Sequence, residues 1–142
     1  MQQYDPLIAP DPEDWLAMDE AEKFLLIEEY HDRLAEQIPI PDVHMSLHGI
    51  AENQLAMGIP QVGAALHRLM AQGLDRHQAL HAISTVIMEH LYGKLCGGAG
   101  ENAYFRQIEE LTADKWRALS EPDKPRPRVI GRGGRRRRKK RR

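Results

Sequence analysis

The chain has 142 residues, of which 42% are hydrophobic and 6% aromatic, as expected for one soluble domain with a core of Leu, Ile, Ala and Met. Its formal net charge of −1 conceals two unlike parts, because residues 1–120 carry 8 Lys and Arg against 19 Asp and Glu, whereas residues 121–142 carry 12 against 2. A single cysteine, Cys96, excludes an internal disulfide framework, and without a visible secretory leader or an apolar run of roughly 20 residues we expect a cytoplasmic protein with no membrane partner.

Prolines, acidic residues and glycines divide residues 1–120 into segments with helical periodicity. Residues 1–13 contain three prolines and are predicted to form an extended lead-in along the surface. Helices are then predicted at about residues 19–36, 42–57, 60–72, 76–95 and 101–119, with Asp19, Asp42 and Asp75 as N-caps. Short connections between helices of this length predict an all-α fold, a compact bundle of four to five mostly antiparallel helices.

Residues 121–142 form a separate segment that is rich in arginine, lysine, proline and glycine. It cannot bury apolar surface and is predicted to be a disordered basic tail. Such a tail can neutralise phosphates of nucleic acid or ribosomal RNA without reading their sequence. Two other interpretations of the tail remain open: it shields the acidic domain, or it is a solvated segment with no selected role. The predicted nucleic-acid-binding residues are Arg135, Arg136, Arg137, Arg138, Lys139, Lys140, Arg141 and Arg142.

Two predicted helices each place histidines four residues apart and follow them with a glutamate. The second helix carries His44, His48 and Glu52, and the fourth carries His77 and His81 followed by Glu89. Side chains at positions i and i+4 lie one above the other on a helix, about 6 Å apart in rise, so both imidazoles of a pair can reach one ion. Neutral imidazole and carboxylate are ligands of divalent zinc, iron or manganese, and we therefore predict a metal site made by these six residues between the two helices.

The glutamates set a limit on this prediction. Glu52 lies about 12 Å along the helix from His44, and Glu89 about 12 Å from His81. One ion cannot easily reach both ends of such a span. Two ions, or a glutamate that hydrogen-bonds to the second nitrogen of a ligand histidine, would resolve the conflict.

Several other residues are predicted to have no role at a metal site. The Glu28-x-x-His31 spacing on the first predicted helix resembles a di-iron motif but is predicted to be a solvated face. His67 is expected to face water and His90 to be structural, and Cys96 is expected to be inert.

Parts of the sequence resemble a small bacterial family of unknown function. The matching elements lie within about residues 4–92 and are Tyr4-Asp-Pro, Pro10-Asp-Pro-Glu-Asp-Trp15-Leu, Glu29-Tyr-His31, Glu52-Asn-Gln-Leu-Ala-Met-Gly58 and Leu74-Asp-Arg-His-Gln-Ala-Leu-His-Ala-Ile83. Members carry His-x3-His-x3-Glu-x-Gln, then His-x3-His-Ala-Ile and a later glutamate. The resemblance implies a shared helical fold and a shared site at the six residues above, and it implies no reaction. The basic tail is outside it.

The sequence thus predicts a metal-binding helical protein and leaves open whether it is an enzyme. For an enzyme, hydrolysis by metal-activated water is the leading reaction, with Glu52 or Glu89 as ligand or general base, and an oxygen- or redox-active di-iron role is next. The sequence identifies no catalytic residue. The contrasting hypothesis is a non-enzymatic interaction module, with the paired histidines in a polar core network and the tail on nucleic acid or ribosomal RNA. A homo-oligomer is compatible with either hypothesis.

Overall fold

The computed structural model describes residues 3–34, 38, 40–95 and 101–120. These residues form seven α-helices and no strand, which confirms the all-α prediction for the described part of the chain. The helices are α1 (Pro12–Ala17), α2 (Glu20–Leu34), α3 (Pro41–Ala56), α4 (Pro60–Ala71), α5 (Arg76–Leu95), α6 (Glu101–Glu110) and α7 (Ala113–Ser120).

The described residues form seven helices where four to five were predicted. The additional helices lie at the two ends of the domain. At the start of the domain, α1 begins inside the predicted lead-in and continues past it to Ala17. It begins after Asp11, whose carboxylate accepts a hydrogen bond from the Asp14 N–H. The predicted helix at 101–119 is two helices, α6 and α7. The second of these begins after Thr112, whose hydroxyl accepts a bond from the Lys115 N–H.

The predicted starts of the longer helices agree with the structure to within two residues. The Asp19 carboxylate accepts from the Glu22 N–H, and Asp75 and Gln78 exchange side-chain-to-backbone bonds at the start of α5. The prediction of Asp42 as an N-cap is wrong. Helix α3 already begins at Pro41, and Ile40 precedes it with a left-handed backbone at φ 51°.

Glycines end α3 and α4 in the same way. Gly58 and Gly73 have φ of 71° and 100°, values that favour glycine. The N–H of Gly73 returns to Met70 and the N–H of Leu74 to Leu69, which is the Schellman arrangement of a helix C-terminus.

Helix α3 is central and packs against α1, α2, α4 and α5. Two apolar clusters lie beside it. The larger cluster joins α3, α4, α5 and α6, and the smaller one joins Tyr4, Trp15, Ile27 and Met45 near the start of the chain. Tyr4 is 1% exposed, so its side chain anchors the segment before α1 in this cluster, whereas Leu7 and Ile8 of the same segment are 51% and 67% exposed. The gap between α2, α3 and α5 holds the site described below.

No helix in the described residues is both long enough and apolar enough to cross a membrane. The predicted basic tail lies outside the described residues, as does Cys96. Nucleic-acid binding by residues 135–142 therefore stays a prediction.

Candidate metal centre

Five histidine rings from three helices lie in contact with one another; we call them the histidine cluster. They are His31 of α2, His44 and His48 of α3, and His77 and His81 of α5. Within the described residues, four of them can each offer one ring nitrogen such that all four atoms lie within 4.8 Å of one another. This ligand set consists of His31, His44, His48 and His81.

His31 and His44 face each other at the separation expected for two ligands of one ion. Their Nε2 atoms are 3.1 Å apart. Two imidazole nitrogens on one tetrahedral zinc ion, each about 2.05 Å from the metal, would be about 3.3 Å apart. Because Nδ1 of His31 donates to the carbonyl oxygen of Ile27 at 2.8 Å, its Nε2 carries the lone pair.

His48 is oriented by three further buried side chains. Arg76 binds both carboxylate oxygens of Glu52 at 2.7 and 2.9 Å, and the Tyr4 hydroxyl donates to Glu52 Oε1 at 2.6 Å. A phenol has one proton, so the Tyr4 oxygen must accept at its 2.7 Å contact with His48 Nε2. The proton of His48 is therefore on Nε2 and the lone pair on Nδ1. We call Arg76, Glu52, Tyr4 and His48 the support chain.

Three buried nitrogens of the histidine cluster have no hydrogen-bond partner among the described residues. They are Nδ1 of His48, Nε2 of His77 and Nε2 of His81. A buried polar atom left unpaired costs about 1–3 kcal/mol. A bound ion at the ligand set would satisfy His48 Nδ1 and His81 Nε2 together.

The electrostatics of the cluster keep the imidazoles of His44, His48, His77 and His81 neutral, which is the form that binds metal. Burial, with smaller contributions from nearby histidines, lowers the pKa of His44 to about 4 and that of His81 to about 2. Burial, with a smaller contribution from His31, lowers the pKa of His77 to about 4. Burial also holds the pKa of His48 well below its ordinary value. Burial and the Glu52 carboxylate raise the pKa of Tyr4, so its hydroxyl stays protonated and can donate.

The six residues predicted from the sequence are only partly brought together. His44, His48 and His81 are in the ligand set, and His77 lies beside it with its ring centroid 4.2 Å from that of His81. Glu52 is 1% exposed, but Arg76 and Tyr4 occupy its oxygens. Glu89 is exposed and lines a surface groove with Gln107 and Glu110, away from the ligand set.

Sequence reasoning missed three residues of this centre. The prediction of a solvated face is wrong for His31, which is 2% exposed and belongs to the ligand set. Its Glu28-x-x-His31 spacing was the one available signal. Tyr4 and Arg76 carried no signal of their own, because their roles depend on contacts 24 to 48 residues distant in sequence.

The remaining histidines of the described residues lie elsewhere. His67 is exposed, as predicted. His90 is partly buried, and its ring centroid lies 4.9 Å from that of Tyr104, in agreement with a structural role.

Comparisons with protein-family profiles, with curated proteins and with solved structures found no match to this chain. The resemblance described from its sequence elements therefore stays a prediction, and the centre is interpreted from its own geometry.

Proposed function

We propose that this protein binds a divalent metal ion between α2, α3 and α5, with His31, His44, His48 and His81 as ligands. The observation that carries the proposal is the convergence of one ring nitrogen from each of four imidazoles within 4.8 Å. In addition, Nδ1 of His48 and Nε2 of His81, in two of these rings, are buried and have no hydrogen-bond partner among the described residues, which a purely structural role would not explain.

The donor set narrows the choice of metal. Imidazole suits zinc, iron, copper and nickel, whereas manganese and magnesium prefer carboxylate and water oxygens. Since Glu52 is engaged by Arg76 and Tyr4, we propose zinc or ferrous iron and place manganese last among the metals expected from the sequence.

In this proposal Glu52 supports the site and does not bind the ion. It fixes the Tyr4 hydroxyl, which fixes the tautomer of His48 and presents Nδ1 to the ion. His77 is the candidate for a fifth ligand, and Glu89 has no part in the site.

For the reaction at this metal site, we propose hydrolysis. A divalent ion supplies a water of lowered pKa when one coordination position is free of protein ligands. A cavity of about 540 Å³ borders His44 and His81, and it gives a substrate a route to the ion. Four bound imidazoles would fill a tetrahedral ion, so the hydrolytic form requires either three histidine ligands or a higher coordination number.

The test is metal content, measured by elemental mass spectrometry on the full chain produced without a histidine tag. We expect about one ion per chain, with most of it lost in His48→Ala and His81→Ala. His67→Ala is the matched control, because its side chain is exposed and outside the histidine cluster. Metal-free protein whose melting temperature is unmoved by added zinc or ferrous iron would exclude the proposal.

The interaction-module hypothesis makes the opposite prediction for the same samples. A polar core network without metal would leave the protein folded, free of metal and equally stable with and without added zinc. The same measurement therefore separates the two functions.

A further inference from the structure

A cavity of about 540 Å³ opens beside the ligand set. Its walls come from the start of α3, the middle of α5 and α7, and His44 and His81 form part of them. Their ring centroids are 4.6 Å apart. The volume lies within the range of about 300–1,000 Å³ that is usual for small-molecule sites.

The described residues that line this cavity give it a distinct chemistry. Most of its wall is apolar, with Val43, Leu47, Met88 and Trp116 among the lining side chains, and no Asp, Glu, Lys or Arg contributes to it. A phosphate or another highly charged group would find no counter-charge here except a bound ion. The cavity therefore favours an uncharged and largely apolar molecule.

Besides His81, the wall contains one further polar side chain whose buried polar atom has no hydrogen-bond partner among the described residues. The Ser84 hydroxyl is buried and makes no hydrogen bond within the described residues, and Ser84 itself is 8% exposed. Its neighbour Thr85 differs, because the Thr85 hydroxyl donates to the His81 carbonyl oxygen at 3.0 Å. Buried hydroxyls normally have partners. Because the Ser84 oxygen has almost no accessible surface, a ligand in the cavity would gain its hydrogen bond after a rotation of the Ser84 side chain.

We infer that this cavity is a ligand site for a small, uncharged, mainly apolar molecule with a nitrogen or oxygen donor at one end. The donor binds the metal beside His44 and His81, the apolar body lies against Val43, Leu47 and Trp116, and the Ser84 hydroxyl makes a hydrogen bond. The inference rests on the proposed metal site and adds the chemical class of the molecule that reaches it.

The probe for this site is 4-phenylimidazole, with imidazole as the size control. At a pH above the pKa of both imidazolium ions the two molecules are uncharged nitrogen donors, and they differ by one phenyl ring. The full chain is loaded with cobalt, whose visible absorption reports each new ligand on the ion. Because the phenyl ring would enter the apolar cavity, we expect 4-phenylimidazole to bind at least about tenfold more tightly than imidazole.

Two variants test the cavity itself. Val43→Trp should fill it and remove the preference for the phenyl compound, since Val43 is on the wall and 43% exposed. Met70→Trp is the matched control, because Met70 is 41% exposed on α4 and outside the cavity. Ser84→Ala should weaken 4-phenylimidazole several-fold while leaving cobalt binding unchanged.

The outcomes separate the two proposals. Cobalt binding with equal affinities for the two probes, or a preference that survives Val43→Trp, overturns the cavity inference and leaves the metal site intact. Failure of the chain to bind cobalt overturns the proposed function and, because the ligand site depends on the metal, overturns the ligand site as well.

Discussion

At the scale of single residues, Tyr4 is the side chain on which the orientation of the metal centre depends most directly. It joins Glu52 to His48 through two hydrogen bonds of 2.6 and 2.7 Å. Its position near the start of the chain, far from both partners, gives no hint of this role. The hydroxyl determines which nitrogen of His48 is free for an ion.

We predict that Tyr4→Phe lowers zinc affinity by about 10–100-fold, the usual effect of losing a group that orients a metal ligand. Competition with a chelator measures the affinity, and nitrogen NMR of His48 reports the change of tautomer. Tyr104→Phe is the matched control, because that hydroxyl bonds Gln54 and not the histidine cluster. An unchanged tautomer and zinc affinity in Tyr4→Phe would contradict the role of the support chain.

The sequence allowed part of this centre to be predicted. The i,i+4 spacing identified His44 with His48 and His77 with His81, because spacing along one helix is a local property. His31 has no second histidine on its helix, and its Glu28-x-x-His31 spacing arises easily in an acidic amphipathic helix, so this spacing did not distinguish it from a solvated residue. The engagement of Glu52 by Arg76 joins α3 to α5, and no local pattern contains such a contact.

At the scale of helices, the ion pair between Arg76 and Glu52 connects the start of α5 to α3. Arg76 also donates to the Pro6 carbonyl oxygen at 2.8 Å, which ties in the segment before α1. Both side chains of the pair are at least nine-tenths buried. Because the pair is buried, replacing only one of its two charged residues leaves an unpaired buried charge and lowers the stability of the protein.

We predict that Arg76→Met destabilises the protein by about 3–5 kcal/mol, because it leaves the Glu52 carboxylate buried without its partner. Urea unfolding of the metal-free chain measures the change. Arg106→Met makes the same change of charge at an exposed position of α6 and should have little effect. The double variant with Glu52→Leu should recover stability relative to Arg76→Met, and no recovery would mean that the stranded charge is not the cause.

The helix pattern was predictable where capping residues and prolines mark it. Asp19, Pro60 and Asp75 indicated starts that the structure places within two residues. The break between α6 and α7 was not predicted, since neither of the two residues at the break, Leu111 and Thr112, is a glycine or a proline. In the structure the break is capped by the Thr112 hydroxyl and by two long-range contacts that no local pattern contains. Gln72 Oε1 accepts from the Ala113 N–H, and Arg68 donates to the carbonyl oxygens of Ile108 and Leu111.

At the scale of the whole molecule, the buried histidines link stability to pH. In the unfolded chain a histidine takes a proton near pH 6.5, whereas folded His44 and His77 do so only at about 4. Between these values the unfolded chain binds more protons, so acidification favours unfolding. Stability present at neutral pH is thus lost as the pH falls from about 6.5 toward about 4.

We therefore predict that the metal-free protein unfolds at lower urea concentration at about pH 5 than at neutral pH. His77→Gln removes one titrating group and should make the dependence shallower. His67→Gln, at an exposed position, should show the same change of urea stability with pH as the parent protein. A parent protein with equal stability at both values would contradict the buried neutral cluster.

The basic tail supplies a second prediction for the whole chain. Twelve basic residues in residues 121–142 should bind RNA by releasing its counterions, so affinity should fall steeply with salt. Deletion of residues 131–142 should abolish this binding, whereas metal content should not change. RNA binding that survives the deletion, measured by filter retention at several salt concentrations, would refute a role for the tail.

The support chain also has a consequence for the order in which the site is made. Tyr4 contacts His48, 44 residues later in the sequence, and Pro6 contacts Arg76, 70 residues later. Contacts so distant in sequence form late in folding, because their loops must close first. During synthesis, the first residues of the chain must wait for α5 to emerge before they can return to it. We expect metal uptake to follow folding of the helices, so that the ion completes an assembled protein and does not nucleate it.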